Sequence, residues 1–456
     1  MSNTPVFRNL QISPQNVSPN GKVSIRQGMP VVSFIISEQS ALLRGRTVVI
    51  NGNIEHTKDG STEIAVGDQL NSTMRNGILG CIDQIVITSI KGRQVIEHLH
   101  HVSRFVSAHK SYTTSLNDSI GFQSQTEQTN PNYFLNKICN IDGKVVATGD
   151  NNVNTNTFSL HLPSGFLSTS SVINLDGQTG IGGIQIDLHL NSDAQFYNCI
   201  NQDTTKDLSG AGNDVSNAQY LLSQLKLTCE VNPLTPQDIQ ELSKTPNKTL
   251  SYQNFAGHYK TINSTNGILN FQLGASRVKA VSLSFIRDGD LNNLAKDGNA
   301  ITMPLNSNNS LANIRSIVFL KNGERYPLRY IQDTNYKNDA NINKLDSANI
   351  KNSFGSFITD SERIFYESTQ LTSNNCNRSG YNGGVSLNQQ TDGGPIFTVG
   401  CNYDYAGGGS VDFSGSNLFG VQMDLDLTSN QPNAVFVFVH KESTLVYNAQ
   451  GLTVQD

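Results

Sequence analysis

Three closely spaced histidines are the first residues in this chain whose type and spacing could do chemistry. His98, His100 and His101 lie within residues 97–101, and imidazole is a common metal ligand. Their spacings of two and one, with no nearby cysteine and no obvious further partner, do not match the ligand spacing of zinc sites. A surface or interface cluster is therefore favoured over a metal site.

Two other segments resemble binding loops in part. Residues 288–292, Asp-Gly-Asp-Leu-Asn, imitate the start of a calcium loop, but Asn293 stands where such a loop needs glycine and no Glu occupies the twelfth position. Residues 177–183 are rich in glycine, but they precede a strand pattern and do not open a helix. The sequence therefore favours turns at both places over a calcium or phosphate site.

Catalytic signatures are missing from the sequence. It contains no GxxxxGK[ST], GxSxG or HExxH pattern and no CxxC pair. Asp424 and Asp426 share one face of a predicted strand, which is more typical of a solvated face than of a catalytic pair. The cysteines are interpreted as small buried hydrophobic residues in a reducing compartment: Cys81, Cys139, Cys199, Cys229, Cys376 and Cys401. We assign no catalytic, cofactor-binding or metal-binding residue and expect no enzyme activity.

Composition excludes other classes of function. The 456 residues include 32 Lys and Arg against 37 Asp and Glu, and the net charge of −5 provides no basic field for a phosphate backbone. Direct binding of nucleic acid is therefore not expected. The longest apolar runs, such as residues 434–439, are far shorter than the about 18 residues that cross a bilayer. No transmembrane segment is expected, and the polar residues 1–20 show no secretory signal.

Strand patterns dominate the chain. Runs rich in β-branched and aromatic residues end at Gly, Asn, Asp or Ser, and six Asn-Gly pairs suit the turns between antiparallel strands. The sequence therefore predicts an all-β fold. One helix is well supported at residues 235–242, where Thr235 can cap the helix and Pro236 occupies its first position. Weaker helix patterns cover residues 98–110 and 341–351.

An internal repeat predicts the architecture. Residues 183–190, GIQIDLHL, recur 237 positions later as GVQMDLDL, with five of eight residues identical. Residues 82–87, IDQIVI, match IRSIVF at residues 314–319, 232 positions later. Because the two matches are collinear, we infer two copies of one β-domain. Alternation within the repeat places Ile184, Ile186, Leu188 and Leu190 on the core face.

The repeat sets the predicted domain limits. They are an N-terminal arm at 1–20, a first domain at 21–234, a linker with a short helix at 235–249 and a second domain at 250–456. Each domain has room for an eight-stranded sandwich with long loops, and the chain keeps only a few short helices.

The duplicated strands, together with residues 31–54, carry a resemblance to a known family. The segment VVSFIIS…LLRGRTVVINGNI and both repeated strand pairs resemble the double jelly-roll major capsid proteins of double-stranded DNA viruses, in virophages, polinton-like viruses and large DNA viruses. The resemblance covers nearly the whole chain and implies two tandem eight-stranded jelly rolls.

The same resemblance implies a function and a set of partners. It implies a homotrimer whose six jelly rolls form a pseudo-hexagonal capsomer that tiles an icosahedral shell. Partners would be neighbouring capsomers, penton proteins and minor or cement capsid proteins, and the N-terminal arm would tie neighbours together. The protein would reside in the virion after synthesis inside the host cell.

Two alternatives stay open. The first is a glycan-binding or glycan-cleaving β-sandwich, against which the absence of Trp counts, although 14 Tyr could provide stacking surfaces. The second is a minor capsid or vertex protein.

Overall fold

The structure is a computed structural model that describes parts of both β-domains. The described residues are 7–18, 21–26, 28–37, 40–62, 77–106, 155–169, 171–197, 216–245, 247–262, 266–286, 291–292, 294, 314–326, 331–332, 398–403, 409–425, 434–448 and 451–456.

Strands account for most of the described secondary structure. The first half of the chain contains β1 (Arg8–Ile12), β2 (Val31–Ile36), β3 (Ala41–Thr57), β4 (Ile82–Ser89), β5 (Val95–His100), β6 (Thr155–His161), β7 (Ile173–Asn174), β8 (Ile184–Leu190) and β9 (Gln219–Pro233). The second half contains β10 (Lys248–Thr261), β11 (Asn266–Phe271), β12 (Ala275–Ile286), β13 (Ile314–Lys321), β14 (Glu324–Arg325), β15 (Ile331–Gln332), β16 (Thr398–Asn402), β17 (Val411–Phe413), β18 (Phe419–Leu425), β19 (Ala434–Tyr447) and β20 (Leu452–Gln455).

Helices are few and short among the described residues. They are α1 (Asp193–Phe196), α2 (Pro236–Ser243), the 3-10 turns Gly77–Cys81 and Lys91–Arg93, and a helical turn at 102–106. No helix in the described part of the chain has the length and apolar character needed to cross a membrane.

Four antiparallel sheets form two sandwiches of the same topology. Sheet 1 has the order β1-β9-β3-β6 and sheet 2 the order β2-β8-β4-β5. Sheet 3 repeats sheet 1 as β10-β19-β12-β16, and sheet 4 repeats sheet 2 as β11-β18-β13-β14. The short strands β7, β15, β17 and β20 lie off these paths and pair with β3, β13, β12 and β19, respectively. The prediction of two tandem eight-stranded jelly rolls is confirmed, and we call them the first and second roll.

The repeated segments occupy equivalent strands. The GIQIDLHL and GVQMDLDL segments form β8 and β18, which pair with β4 and β13, the strands of the second match. Ile85 lies opposite Leu188 in the first roll, whereas Ile317 lies opposite Met423, the residue that the repeat aligns with Ile186. The register therefore differs by two residues, which leaves each side chain on the same face of its sheet.

Alternation divides β8 between core and solvent as the sequence predicts. Ile184, Ile186, Leu188 and Leu190 are buried, while the polar residues between them are partly exposed. In the second roll, Val421 and Met423 of β18 are fully buried with residues of sheet 3. Each roll thus has a core between its own two sheets.

The helix predictions had different outcomes. Helix α2 begins after Thr235, whose side chain accepts a hydrogen bond from the Asp238 backbone N–H. The Asp238 carboxylate in turn accepts one from the Thr235 backbone N–H, which completes a capping box. The prediction of a helix across 98–110 was wrong at its start, because residues up to His100 pair with β4 as strand β5 and only 102–106 are helical among those described. The predicted helix at 341–351 lies outside the described residues.

The segment expected to form an N-terminal arm is built into the first roll over part of its length. Strand β1 pairs with β9 from the Arg8–Val231 pair to the Ile12–Leu227 pair. Further along, Gln15 and Asn16 hydrogen-bond to β2 in the opposite sheet. This segment therefore links both sheets of the first sandwich, and the domain limits themselves remain a prediction.

Candidate functional site at the junction of the two jelly rolls

The two rolls share a buried junction, and strand β19 is at its centre. All residues from 434 to 440 are buried. Val435, Val437 and Val439 face the core of the second roll, whereas Phe436 and Phe438 belong to the core of the first roll. A continuous apolar run is typical of a strand that is covered on both faces. The outer face of sheet 3 is therefore part of an interface.

Aromatic rings pack across this interface from both rolls. The ring of Phe105 lies 5.5 Å from that of Phe438 and 5.1 Å from that of Phe255 on β10. The ring of His101 meets Phe436 edge to face at 5.0 Å. Such contacts add to the free energy of burying the rings and favour one relative orientation.

A buried cation lies beside these rings. Arg104 is 2% exposed, and its guanidinium carbon lies 4.6 Å from the centre of the Phe436 ring. One of its nitrogens, Nη1, donates to Ser284 Oγ on β12 at 3.4 Å. A buried charge is tolerated only with compensating contacts, and here the second roll supplies two of them.

Glycine allows the two backbones to approach closely. A β-carbon at Gly257 of β10 would overlap the carbonyl oxygen of His100, and one at Gly165 would overlap that of Gln253. Beside these contacts, the Tyr252 hydroxyl donates to the Ile96 carbonyl at 2.7 Å. Any larger residue at either glycine would push β10 away from the first roll.

Glu97 is a buried acid that receives hydrogen bonds from both rolls. It is 2% exposed and accepts from Gly165 N at 2.9 Å, from Phe166 N at 3.2 Å and from the Ser164 hydroxyl. The backbone N–H of Phe255 on β10 donates to it as well. Burial raises the pKa of the Glu97 carboxyl to about 7, and the hydrogen bonds only partly oppose this effect.

Lysines close one end of the junction against the glycine-rich segment. Lys91 Nζ donates to the carbonyl of Asn448 at 3.0 Å, and Lys248 Nζ donates to that of Thr179 at 3.0 Å. Residues 177–180 form a turn that the Asp176 carboxylate stabilises by accepting from the Gln178 and Thr179 backbones. The turn presents backbone carbonyl oxygens to lysine ammonium groups, whereas a phosphate-binding loop would present backbone N–H groups to an anion.

The histidine cluster lies at the rim of the junction. The rings of His98 and His100 are 3.8 Å apart on the outer face of sheet 2, and His101 continues into the interface. Burial, together with the nearby His100 and His189, lowers the pKa of His98 to about 4. Among the described residues, no three or more His, Cys, Asp or Glu side chains are arranged to hold a metal.

Comparison with known proteins gives matches in structure only. No protein-family model matches the sequence, and a search of curated proteins found no match. The PBCV-1 virus capsid protein superposes with a TM-score of 0.56 at 12% identity, over 100% of this chain and 98% of that chain. The Faustovirus major capsid protein gives 0.57 at 8% identity, over 97% and 90%. The mavirus major capsid protein gives 0.51 at 9% identity, over 98% and 90%.

The chain has the double jelly-roll fold of these capsid proteins. Because the superpositions span nearly all of both chains, the likeness covers the whole tandem unit and not one sandwich alone. The buried junction holds the two rolls together as this tandem unit.

Of the other residues considered from the sequence, the calcium-like segment also contacts the first roll. Within the calcium-like segment only Leu291 and Asn292 are described, and the Asn292 side-chain oxygen accepts from Gln195 Nε2 at 3.3 Å. Cys81 and Cys229 are buried free thiols, as expected. The backbone of Asp424 is in β18, and Asp426 lies outside the described residues.

Sequence reasoning missed most of the junction. It gave no role to Glu97, Arg104 or Tyr252, whose partners are distant in the chain. One signal was present, because the unbroken apolar run at 434–439 differs from the alternation of the other strands. That run indicates a strand covered on both faces.

Proposed function

We propose that this chain is the major capsid protein of a virus and acts as a building block of an icosahedral shell. The observation that carries the proposal is the double jelly-roll fold shared over nearly the full length of three capsid proteins. A rigid pair of similar sandwiches suits a tiling function, because each chain presents two similar edges to its neighbours. The protein would reside in the virion after synthesis inside the host cell.

The proposed capsomer is a homotrimer. Within one chain, an edge of the first roll, formed by β5 and residues 101–106, packs against the outer face of sheet 3. This contact joins different surfaces of two similar units, and contacts of that kind form a ring when the rotation closes. The edge of the second roll would pack in the same way on the outer face of sheet 1 in the next copy, so that three chains place six rolls in a ring.

The two surfaces that would meet between copies are polar. On sheet 1, Arg44 pairs with Glu230 at 3.1 Å, and Asn53 Nδ2 donates to Gln224 Oε1 at 3.1 Å. Strand β14, which is equivalent to β5, presents Glu324 and Arg325 to solvent. Charged and amide groups on both sides suit a contact that forms after each chain has folded.

The other proposed partners follow from the same function. They are neighbouring capsomers, penton proteins and minor or cement capsid proteins. The weakly acidic chain is not expected to bind nucleic acid directly, and the capsid proteins that share its fold give no support to an enzymatic role.

The first experiment measures the absolute mass of the purified chain by light scattering after size exclusion. We expect three times the 49.7 kDa of one chain. Lys226→Trp adds bulk to the exposed face of β9 and should reduce the trimer fraction, whereas Lys244→Trp, at the exposed residue that caps the C-terminal end of α2, should not. A folded wild-type monomer would contradict the proposal, and binding of that monomer to a glycan array would favour the glycan-binding sandwich.

A further inference from the structure

Strands β2 and β11 are equivalent edge strands, and among the described residues only β2 is capped. Gln15 N donates to the Ser33 carbonyl at 2.8 Å, and the Asn16 side-chain oxygen accepts from Ser33 N at 3.0 Å. The Asn16 side-chain nitrogen donates to the Val31 carbonyl at 2.7 Å. The chain itself therefore occupies the open hydrogen-bonding groups of this edge.

The repeat shows which groups of β11 face outward. Ile35 lies opposite Gln185 in the first roll, and Ile268 lies opposite Gln422, the residue that the repeat aligns with Gln185. Ile268 is therefore equivalent to Ile35, which is two residues from Ser33 and shares its backbone orientation. The N–H and C=O of Ile268 accordingly point away from β18.

A lysine contact agrees with this orientation. Lys260 Nζ donates to the carbonyl of Asn270, two residues beyond Ile268 and on the same edge. No other hydrogen bond to that edge is found between Asn266 and Asn270 within the described part of the chain.

The second roll has a short connection where the first roll has its cap. Only residues 262–265 join β10 to β11, whereas the segment between β1 and β2 includes Gln15 and Asn16. Ile268 is 53% exposed, more than any other large hydrophobic residue in the described ranges. An open strand edge with an exposed aliphatic side chain is suited to pairing with another strand.

We propose that β11 pairs antiparallel with β11 of a second copy, about a two-fold axis at Ile268. In this register Ile268 faces its own copy and Asn266 faces Asn270, so the contact is self-complementary. Residues 266–270, Asn-Gly-Ile-Leu-Asn, carry no charge, and no like charges would repel each other across the axis.

This inference rests on the proposed function. The paired segment is only five residues long, so one contact is weak and gains strength when a shell repeats it between capsomers. The contact lies outside the proposed ring of three chains, and trimer formation does not depend on it.

Cysteine cross-linking tests the pairing directly. In the proposed register the two Ile268 α-carbons are about 5.5 Å apart, within the range for a disulfide. Ile268→Cys in concentrated protein under mild oxidation should give a two-chain band on a non-reducing gel. Val172→Cys, at a residue that is 45% exposed and away from this edge, is the matched control. A yield no higher than that of the control or of wild type would overturn the proposal.

Charge variants test whether the partner is a second β11. Ile268→Lys and Ile268→Glu should each reduce association of the purified protein beyond the trimer at least tenfold in sedimentation velocity, and a one-to-one mixture should restore it. If both variants lose association beyond the trimer and the mixture does not restore it, β11 contacts a different partner and the proposal is overturned. Both variants should keep the wild-type mass of the trimer. A wild-type monomer would instead contradict the proposed function, while the cross-link would still test β11.

Discussion

Strands β9 and β19 hold the same place in their rolls, yet their burial differs. Along β9, residues 220–222 are buried together, and from Gln224 onward buried residues alternate with partly or fully exposed ones such as Lys226, Thr228 and Glu230. Along β19, every residue from 434 to 440 is buried. The difference arises because the first roll covers the outer face of sheet 3, while the outer face of sheet 1 carries polar side chains.

This difference separates two kinds of information in the chain. The inward-facing side chains of each strand form the core of the sandwich, and they are apolar in both rolls. The outward-facing side chains determine which surface packs against the sheet, and these side chains differ between the two rolls. An aromatic face suits a permanent contact within one chain, whereas a polar face suits a contact that forms between folded copies.

The largest expected effect comes from charging the inward faces. Ile186→Asp and Met423→Asp occupy matched positions of the repeat, and both side chains are fully buried. Each should prevent folding, because an unpaired buried charge costs about 4 kcal/mol or more. Gln185→Asp and Gln422→Asp, on the opposite faces, are the controls and should fold. Circular dichroism and thermal melting give the result, and a wild-type melt from either core variant would show that the assigned register is wrong.

A smaller effect should follow from truncation at the junction. Phe438→Ala removes a buried ring that contacts Phe105, and we expect a loss of about 3–4 kcal/mol in unfolding free energy. Lys226→Ala, on the exposed outer face of β9, should change stability by less than about 0.5 kcal/mol. Denaturant unfolding measures both. Hydrogen exchange should also rise in β5 and β10 for the Phe438 variant, and equal effects of the two substitutions would contradict the contrast drawn between these strands.

The buried acid at the junction should make stability depend on pH. The pKa of Glu97 is about 7 in the folded chain and near 4.5 when unfolded, so between these values the folded state holds the extra proton. Stability from this group is therefore lost as pH rises through that window, by about 1.4 kcal/mol per pH unit at most.

Glu97→Gln should remove this pH dependence. We expect the variant to match wild type near pH 5 and to be the more stable of the two near pH 8, as measured by melting temperature. His98 and His258 produce the opposite trend, because their lowered pKa values reduce stability as pH falls from about 6.5. Both proteins contain these histidines, so their contribution cancels when the two melting temperatures are subtracted. An unchanged difference across this range would contradict the raised pKa.

The smallest expected effect concerns the capped edge of the first roll. Asn16→Ala removes two hydrogen bonds to β2 and should cost about 1–2 kcal/mol. Asn270→Ala in the second roll, where the side chain caps no strand edge among the described residues, should cost less than about 0.5 kcal/mol. Denaturant unfolding of both variants makes the comparison, and equal losses would remove the distinction between the two edges.

Sequence determined the parts of this protein that depend on local pattern. The all-β class, the two rolls and the core faces of β8 and β18 follow from a period of two and from one repeat. The cap of α2 followed from Thr235 and Pro236, which lie beside the helix that they start. The strand faces and the helix cap are predictable because each depends on residues a few positions apart, and the duplication is predictable because one such local pattern occurs twice in the same order.

Only the tertiary structure decided the junction and the strand edges. Glu97 receives its hydrogen bonds from residues 67 or more positions away, and Arg104 meets Ser284 across 180 positions. The same is true of β1, which was expected to be part of an arm and instead pairs with β9. A local sequence pattern cannot predict such contacts, because they join segments that are far apart in the chain and follow no regular spacing. Their energies depend on burial and geometry that exist only once both rolls have formed.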